Sequence, residues 1–410
     1  MSSHSAPNGA CSRAIPLRPD AAPMSWRRRI VVFGAYGGGN FGNDACFEAT
    51  LEWLRTAFTN ASILAVCVDP ELTSKRFGIP AVGLKSASVL PRWLDTLLLR
   101  QPSLWLNWLV CLRALKRCDL LVVAGTGAIH DFRDRPWGWP SRFLRWILTA
   151  RLRGASVWFA CVGAGPVINP VSRLMMVWAA KLAARRCYRD ESSRAYMSAQ
   201  GVDESQSLVT GDIAFLLPAP TPSDRGVEQA VVGVGVMNYR GWRTNEKVYR
   251  AYIESMAHLI EWLKFKEHTV RILIGQRPTD LIAVGDLEAR LGYTLMSDAE
   301  RQVRSYQDIL SVVADTDVVV ASRYHVQIAA LKMRRPVLSI SYGPMNDDLM
   351  RAAGLGEFIH DIENMEHRAL ILQCDRLINM RVHYAKAVQT EIKALEAGLH
   401  ERLRDFISPS

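Results

Sequence analysis

The sequence predicts an α/β protein built as two doubly wound, Rossmann-like domains that face a cleft. Three observations carry that prediction. Short β-branched or apolar runs alternate with helical patterns, which implies βαβ units and parallel sheets. The alternation is broken once, by a proline-rich segment, and then restarts. A chain of 410 residues is also long for a single hydrophobic core.

Residues 1–27 are rich in Ser, Ala and Pro without periodicity and read as a disordered tail leading into the basic run Arg27, Arg28, Arg29. The first domain, 28–217, opens with a strand over Ile30 to Phe33. Further strand signals follow at Ser62 to Val68, Leu120 to Ala124, Ser156 to Val162 and Ser207 to Val209, with helices between. Arg185, Arg186 and Arg189 read as part of one basic helix. Pro218, Pro220 and Pro222, with Thr221, Ser223 and Asp224, mark a linker over 218–227. The second domain, 228–365, restarts the alternation at Ala230 to Val236, Val270 to Ile274, Val318 to Ala321 and Val337 to Ile340. A last helix over 366–410 is expected to pack back across both domains. No internal repeat is visible beyond the shared βα pattern.

Apolar residues make up 49% of the chain and charged residues 22%, a globular balance, not a disordered one. The eight cysteines form no C-x-x-C pair and no zinc spacing. Without a signal-peptide pattern they point to a reducing cytoplasm. No uncharged apolar run reaches the roughly 18 residues of a spanning helix. No metal site is readable.

The net charge of +10 is unevenly placed: residues 1–217 hold 26 Lys+Arg against 15 Asp+Glu, whereas 218–410 hold 24 against 25. The first half also holds ten of the twelve tryptophans. Trp93, Trp105 and Trp108 sit among Arg92, Arg100, Arg113, Lys116 and Arg117, and the stretch from Trp137 to Arg153 repeats the mixture. Such interleaving suits peripheral contact with an anionic membrane, or core helices whose arginines reach past the apolar layer to water. Nucleic acid is not an expected partner, because no binding module accompanies the charge.

Two segments carry site chemistry. In DVVVASRYHVQIAALKMRRPVLSISYGPMNDDLMRAAGLG, Val318 to Ala321 read as a strand buried on both faces, followed by a turn at Ser322 and a helical pattern at Val326, Ala329 and Ala330. Ligands of open α/β sheets collect at the carboxyl ends of strands, where helix N-termini favour anions. Arg323 and His325 therefore point to a phosphate or carboxylate site. Near the N-terminus, Gly37, Gly39 and Gly42 satisfy G-x-G-x-x-G between a strand and a helix, a dinucleotide-binding pattern. The acid ending the next strand, Asp69, lies farther along than a ribose-binding acid normally does. The glycines then serve either close backbone approach to an anionic or sugar ligand, or a structural turn.

With these segments in place, the chain resembles the polysaccharide pyruvyl transferase family. Ser-Arg-Tyr-His followed by Arg-Pro-Val-Leu-Ser-Ile-Ser-Tyr-Gly-Pro and Ala-Gly-Leu is similar to the family's C-terminal signature. IVVFGAYGGGNFGNDACFEATLEWL resembles its opening strand, glycine turn and first helix. CYRDESSRAYMSAQGV followed by VTGDIAFLLP resembles its Arg-Asp-x-x-Ser segment and the Asp-containing strand closing the first domain. DLLVVAGTGAIHDF stands where the family has a strand ending in a glycine turn. The chain departs from the pattern at three positions: Asn43 replaces an acid, Asp44 replaces Glu, and Met345 stands where many members have lysine.

The resemblance implies a glycosyltransferase-B-like pair of domains and transfer of the enolpyruvyl group of phosphoenolpyruvate onto a sugar diol as a pyruvate ketal. Phosphoenolpyruvate would be a co-substrate, and no cofactor is implied. Its carboxylate and phosphate call for cationic groups with fork geometry. Arg323 and Arg189 would clamp them from opposite sides of the cleft, with Tyr324 contributing mainly its backbone. His325 would protonate the methylene carbon or the leaving phosphate, and the sequence leaves both roles open. Asp44 is left as the nearby catalytic carboxylate once Asn43 removes the usual one. Gly38, Gly39, Asn40 and Gly42, with Gly127 and His130, would form an acceptor or anion loop; in the loop Met237 to Trp242, beside Asn238 and Arg240, the residues themselves suit Trp242 either to stacking on a sugar ring or to packing. The implied setting is exopolysaccharide or capsule assembly on a lipid-linked saccharide acceptor at the cytoplasmic face of the membrane. A nucleotide-sugar glycosyltransferase of similar shape and a non-catalytic glycan-binding member are the alternatives.

Overall fold

The computed structural model describes residues 28–85, 101–132, 134–222, 229–240 and 245–408. The tail over 1–27, most of the linker's second half, and the candidate Trp242 lie outside the described residues, as do Arg92, Trp93 and Arg100.

Seven strands form the first sheet: β1 (Arg29–Phe33), β2 (Ser62–Cys67), β3 (Ala81–Gly83), β4 (Leu120–Val123), β5 (Ser156–Val162), β6 (Arg185–Tyr188) and β7 (Leu208–Val209). Their order is β3-β2-β1-β4-β5-β6-β7, and every pairing is parallel. Five strands form the second: β8 (Val231–Gly235), β9 (Thr269–Leu273), β10 (Val318–Ala321), β11 (Val337–Ser341) and β12 (Ile359–Asp361). They run β12-β11-β10-β8-β9, again all parallel. The continuous apolar composition of β1 follows from burial on both faces. Ile30 and Val32 enter one core, Val31 and Phe33 another. Strand order reverses between β1 and β4 and between β8 and β10, and crevices at such switch points are where ligands bind.

Three strands were not legible in the sequence. β3 and β12 are three-residue edge strands, too short to show an alternation. β6 corrects the expected basic helix. Its sequence, Arg-Arg-Cys-Tyr, begins with two charges whose partners lie far along the chain: Arg185 donates to the carbonyl of Phe406 at 2.5 Å and Arg186 to Glu204 at 3.0 Å. With those charges satisfied by neighbours, Cys187 and Tyr188 can enter the core.

The C-terminal segment is two helices, His367–Asn379 and Arg381–Ile407, parted by a turn at Met380, where one was expected. The longer one does span both sheets. Phe406 packs against Trp53 and Trp158 beneath the first sheet, while Tyr384 packs on Phe358 at the second. Burying a side chain of that size stabilises by roughly 1.5–3 kcal/mol, so this helix ties the halves together through packing. One apolar core accordingly runs from β1 through this helix into β8 and β10.

The tryptophan clusters divide. Trp139 and Trp146 are core residues, and Arg145 is buried with them, whereas Trp105 and Trp137 are 69% and 76% exposed. The seven described cysteines are buried and unpaired. Among the described residues, no helix is long and apolar enough to cross a membrane.

Candidate functional site

The carboxyl ends of both sheets open onto one cavity of about 530 Å³. Loops and a helix start after β1, β4, β5 and β6 supply Asn40, Asn43, Gly127, His130, Gly163 and Arg189. Loops and helix starts after β8, β9, β10 and β11 supply Asn238, Thr279, Arg323, His325 and Met345. Arg323 and His325, read in the sequence as an anion site, thus reach the gap between the sheets, with side chains 16% and 14% exposed.

Arg323 follows β10 after Ser322 and is the N-cap of the helix Tyr324–Lys332, which starts with no side-chain cap and so leaves its positive end open to an anion. Its guanidinium is already oriented. Nε donates to both oxygens of Asp280 at 3.0 and 3.1 Å, and Nη2 reaches Asp280 and Thr279. Asp280 is itself fully buried and held by the backbone N–H groups of Gly275 and Gln276 at 2.9 and 2.8 Å. Burial opposes the charge on Arg323, yet Asp280 outweighs it and the pKa sits above its ordinary value. Nη1 makes no hydrogen bond with the described residues and is the arm left for a ligand.

Arg189 follows β6 and is buried, not part of the basic helix expected there. Nε donates to Asp190 at 3.0 Å, and Nη1 lies 3.8 Å from Asp212. The guanidinium lies against the backbone of Gly163, where a Cβ would come within 2.6 Å of Cζ and displace it. It also sits over the Tyr324 ring at 4.3 Å. Tyr324 therefore contributes its ring face, a correction to the expectation that it would act mainly through its backbone. Burial works against the Arg189 charge, but the Tyr324 ring and the carboxylates of Asp190 and Asp212 overcome it and raise the pKa.

His325 lies in the first turn of the same helix, and its Nε2 points at two residues of the first domain: Cys46 Sγ at 3.1 Å and Asp212 Oδ2 at 3.5 Å. Asp212 is 2% exposed, and its Oδ1 accepts from Ala214 N–H at 2.9 Å and from Cys46 at 3.4 Å, while Oδ2 makes no hydrogen bond among the described residues and faces the imidazole at ion-pair distance. Although burial opposes its ionisation, His325 and Arg189 hold its carboxyl below the usual carboxylate range. The domain interface thus completes a carboxylate–imidazole pair.

The glycine block is used differently from the expectation. Asn40 caps the helix Phe41–Ala57 by accepting from Gly42 and Asn43 N–H, and Gly37 N–H donates to Asp44 at 2.8 Å. Those three donors are spent within the loop. Gly38, Gly39 and Gly42 do not line the cavity. The glycines instead let the domains touch. A Cβ on Gly39, at φ 79°, would meet the Arg277 carbonyl at 2.3 Å, and one on Gly42 would meet the His325 ring at 2.2 Å. Phe41 N–H and Arg277 N–H close the contact across to Gly275 and Gly39 carbonyls at 3.0 and 2.8 Å. Asp44 is occupied by Gly37 and lies outside the cavity lining, so it is corrected from a catalytic group to a loop anchor. Asp69 likewise caps the helix Pro70–Phe77, accepting from Leu72 N–H at 2.9 Å.

His130 does line the cavity. Its Nδ1 accepts from Phe132 N–H at 3.0 Å, which leaves Nε2 as the donor, and burial lowers its pKa. Gly127 lies beside it, close to Arg189 Nη2.

The family model for polysaccharide pyruvyl transferase matches residues 40–344. The chain belongs to the polysaccharide pyruvyl transferase family. It is therefore a member of a transferase family that acts on polysaccharides. No curated protein matches it significantly over the sequence. Solved structures match its fold. HepE of Anabaena in complex with UDP and glucose superposes with a TM-score of 0.61 at 12% identity, covering 94% of this chain and 100% of that one. The UDP-GlcNAc 2-epimerase of Neisseria meningitidis bound to UDP-GlcNAc gives 0.58 at 13% identity, with coverage of 93% and 99%. A putative UDP-N-acetylglucosamine 2-epimerase from Listeria monocytogenes gives 0.58 at 12%, with coverage of 89% and 91%. At these identities the likeness shows the fold, which is glycosyltransferase-B-like.

Within this pyruvyl transferase family member, several residues in and behind the cavity wall were not legible in the sequence. Asp280 gives no local signal, and Asp212 was visible only as part of a matched segment. Arg142, on the helix Trp139–Leu152, was hidden in a run of Trp and Arg. Its guanidinium lines the cavity, makes no hydrogen bond or salt bridge among the described residues, and has its pKa lowered by burial despite Asp134. Among the described residues, it is the cavity arginine without a salt bridge to an acid. Asn238 also lines the cavity, with Oδ1 unpaired. Met345 brings a thioether to the wall where many members have lysine. Cys46, Asp212 and His325 place one ligand atom each within 4.8 Å of one another, a set of metal-binding types. Within that set Cys46 contacts both partners, Asp212 Oδ1 at 3.4 Å and His325 Nε2 at 3.1 Å.

Proposed function

We propose that this protein transfers the enolpyruvyl group of phosphoenolpyruvate onto two neighbouring hydroxyls of a saccharide, giving a pyruvate ketal and inorganic phosphate. The observation that carries this reading is the meeting of Arg323, Arg189 and His325 around one interdomain cavity. A small donor with two anionic groups matches the two arginines, each pre-oriented by an acid and each with a free N–H edge. Arg142 offers a third cation where Met345 offers none, and would hold the donor phosphate or an anionic acceptor.

Proton transfer to the methylene carbon forms the C–H bond of the new methyl group and leaves an oxocarbenium-like centre at C2. The first sugar hydroxyl adds there and releases its proton. The C–O bond to phosphate then breaks with the electron pair leaving on oxygen, and the second hydroxyl closes the ketal. The two hydroxyl protons balance the one gained by carbon and the one gained by phosphate. His325 is placed to pass protons between these atoms, with Asp212 holding its ring and stabilising the imidazolium. His130 donates from Nε2 to an acceptor hydroxyl or the departing phosphate. The acceptor is a lipid-linked saccharide of exopolysaccharide or capsule assembly, at the cytoplasmic face of the membrane.

The test is incubation of the purified chain with phosphoenolpyruvate and an extract of lipid-linked oligosaccharides. One glycan should gain the mass of pyruvic acid less water, with phosphate released in step, and Arg323→Ala and His325→Ala should abolish both. Release of a nucleoside diphosphate from a sugar nucleotide instead would assign a glycosyltransferase. Turnover of neither substrate class with any acceptor would leave a glycan-binding member and refute the proposal.

A further inference from the structure

The outer faces of three neighbouring helices in the first domain take no part in the cavity chemistry. The helices Gln101–Ala114, Trp139–Leu152 and Pro170–Leu182 lie side by side on one face of the first sheet. Inward they bury Cys111, Phe143, Trp146, Met176 and Ala179. Outward they and the loop before the second present Trp105, Trp137, Leu152, Leu174 and Trp178 at 69%, 76%, 73%, 60% and 60% exposure. Single exposed apolar residues are ordinary, but three tryptophans with leucines on adjoining helices are the mark of an interaction surface.

Charge selects the partner. Arg113, Lys116, Arg117, Arg151, Arg153 and Lys181 are exposed on the same elements. From Arg135 to Arg189 the chain holds ten Lys or Arg and no Asp or Glu, and Gln101 to Cys118 also lacks an acid. A second copy meeting this face about a two-fold axis would oppose like charges with no acid to pair them. A layer of anionic headgroups over hydrocarbon matches both features, because indole rings settle at headgroup depth while Lys and Arg meet lipid phosphates.

We propose that this three-helix face docks peripherally on an anionic lipid bilayer. Trp137 and the cavity are two residues apart: Trp137 is exposed on this face, while Trp139 and Arg142 line the cavity wall. Docking therefore sets the first-domain side of the cavity at the membrane surface, where a saccharide on a lipid carrier is presented. The proposal concerns a surface distinct from the reaction site and is read without turnover, so it stands or falls separately from the reaction.

The experiment is co-sedimentation of the full chain with vesicles of phosphatidylcholine alone or with about one third phosphatidylglycerol, from about 0.05 to 0.5 M salt. Binding should require phosphatidylglycerol and weaken with salt. It should fall by about tenfold or more in a combined Trp105→Ser, Trp137→Ser, Trp178→Ser variant, and again in Arg151→Glu, Lys181→Glu, with the unfolding midpoint unchanged. Equal binding to neutral vesicles, no binding at low salt, or binding untouched by both variants overturns the proposal. A dimer in sedimentation velocity that the tryptophan variant dissociates would assign the face to a second copy instead.

Discussion

Gly42→Ala puts the interdomain geometry to a quantitative test. Gly42 lies in the first turn of the helix Phe41–Ala57, and a Cβ there would fall 2.2 Å from Cγ and Nδ1 of His325, against an ordinary contact of 3.4 Å or more. The ring must retreat by more than 1 Å, away from Asp212 and Cys46, or the domains must part. A displacement of about 1 Å at a reacting group lowers turnover by about 10²-fold. The stability effect is smaller, because overpacking costs about 1–3 kcal/mol and replacing a helical Gly by Ala returns up to about 1 kcal/mol. Gly285→Ala is the matched control: it also lies within a helix, and its added Cβ meets nothing within 4 Å. Phosphate release from phosphoenolpyruvate in the presence of acceptor, measured beside thermal unfolding, should show a large loss of kcat with a melting shift of a few degrees for Gly42→Ala, and no loss for Gly285→Ala. If Gly42→Ala keeps activity within about twofold of the parent, the seating of His325 against that helix is not what sets its function.

Other outcomes follow from the same contacts. Asp212→Asn should lower kcat by about 10²-fold or more while leaving KM nearly unchanged, since the carboxylate steadies the imidazole and meets no substrate; steady-state kinetics with unchanged kcat would exclude that role. Arg142→Gln should raise the KM of an anionic substrate by about tenfold without lowering the melting temperature, because no partner in the protein is lost; an unchanged KM for both substrates removes Arg142 from the site. Burial holds His130 below its ordinary value of 6.5, so the unfolded chain takes up a proton that the folded one resists. Its contribution to stability is complete above the unfolded value and is lost as pH falls through the folded one. Denaturant unfolding at about pH 7.5 and about pH 5.5 should show a larger drop for the parent than for His130→Asn, and equal drops would contradict the assignment.

The sequence by itself determined the two parallel sheets, because β-branched runs buried on both faces are continuous apolar segments that local pattern exposes. It also determined that Arg323 and His325 stand at the end of a strand and the start of a helix. Both facts need only neighbouring residues. What the tertiary structure alone decided is who meets them. Asp280 lies 43 positions from Arg323 in the chain yet grips its guanidinium, and Asp212 and Cys46 belong to the other domain from His325. β6 hid behind two arginines whose partners are distant, and the glycine block looked like an anion loop until the second domain arrived against it. Pairings across a domain interface depend on how two folded surfaces close, and no local spacing of residues encodes that distance.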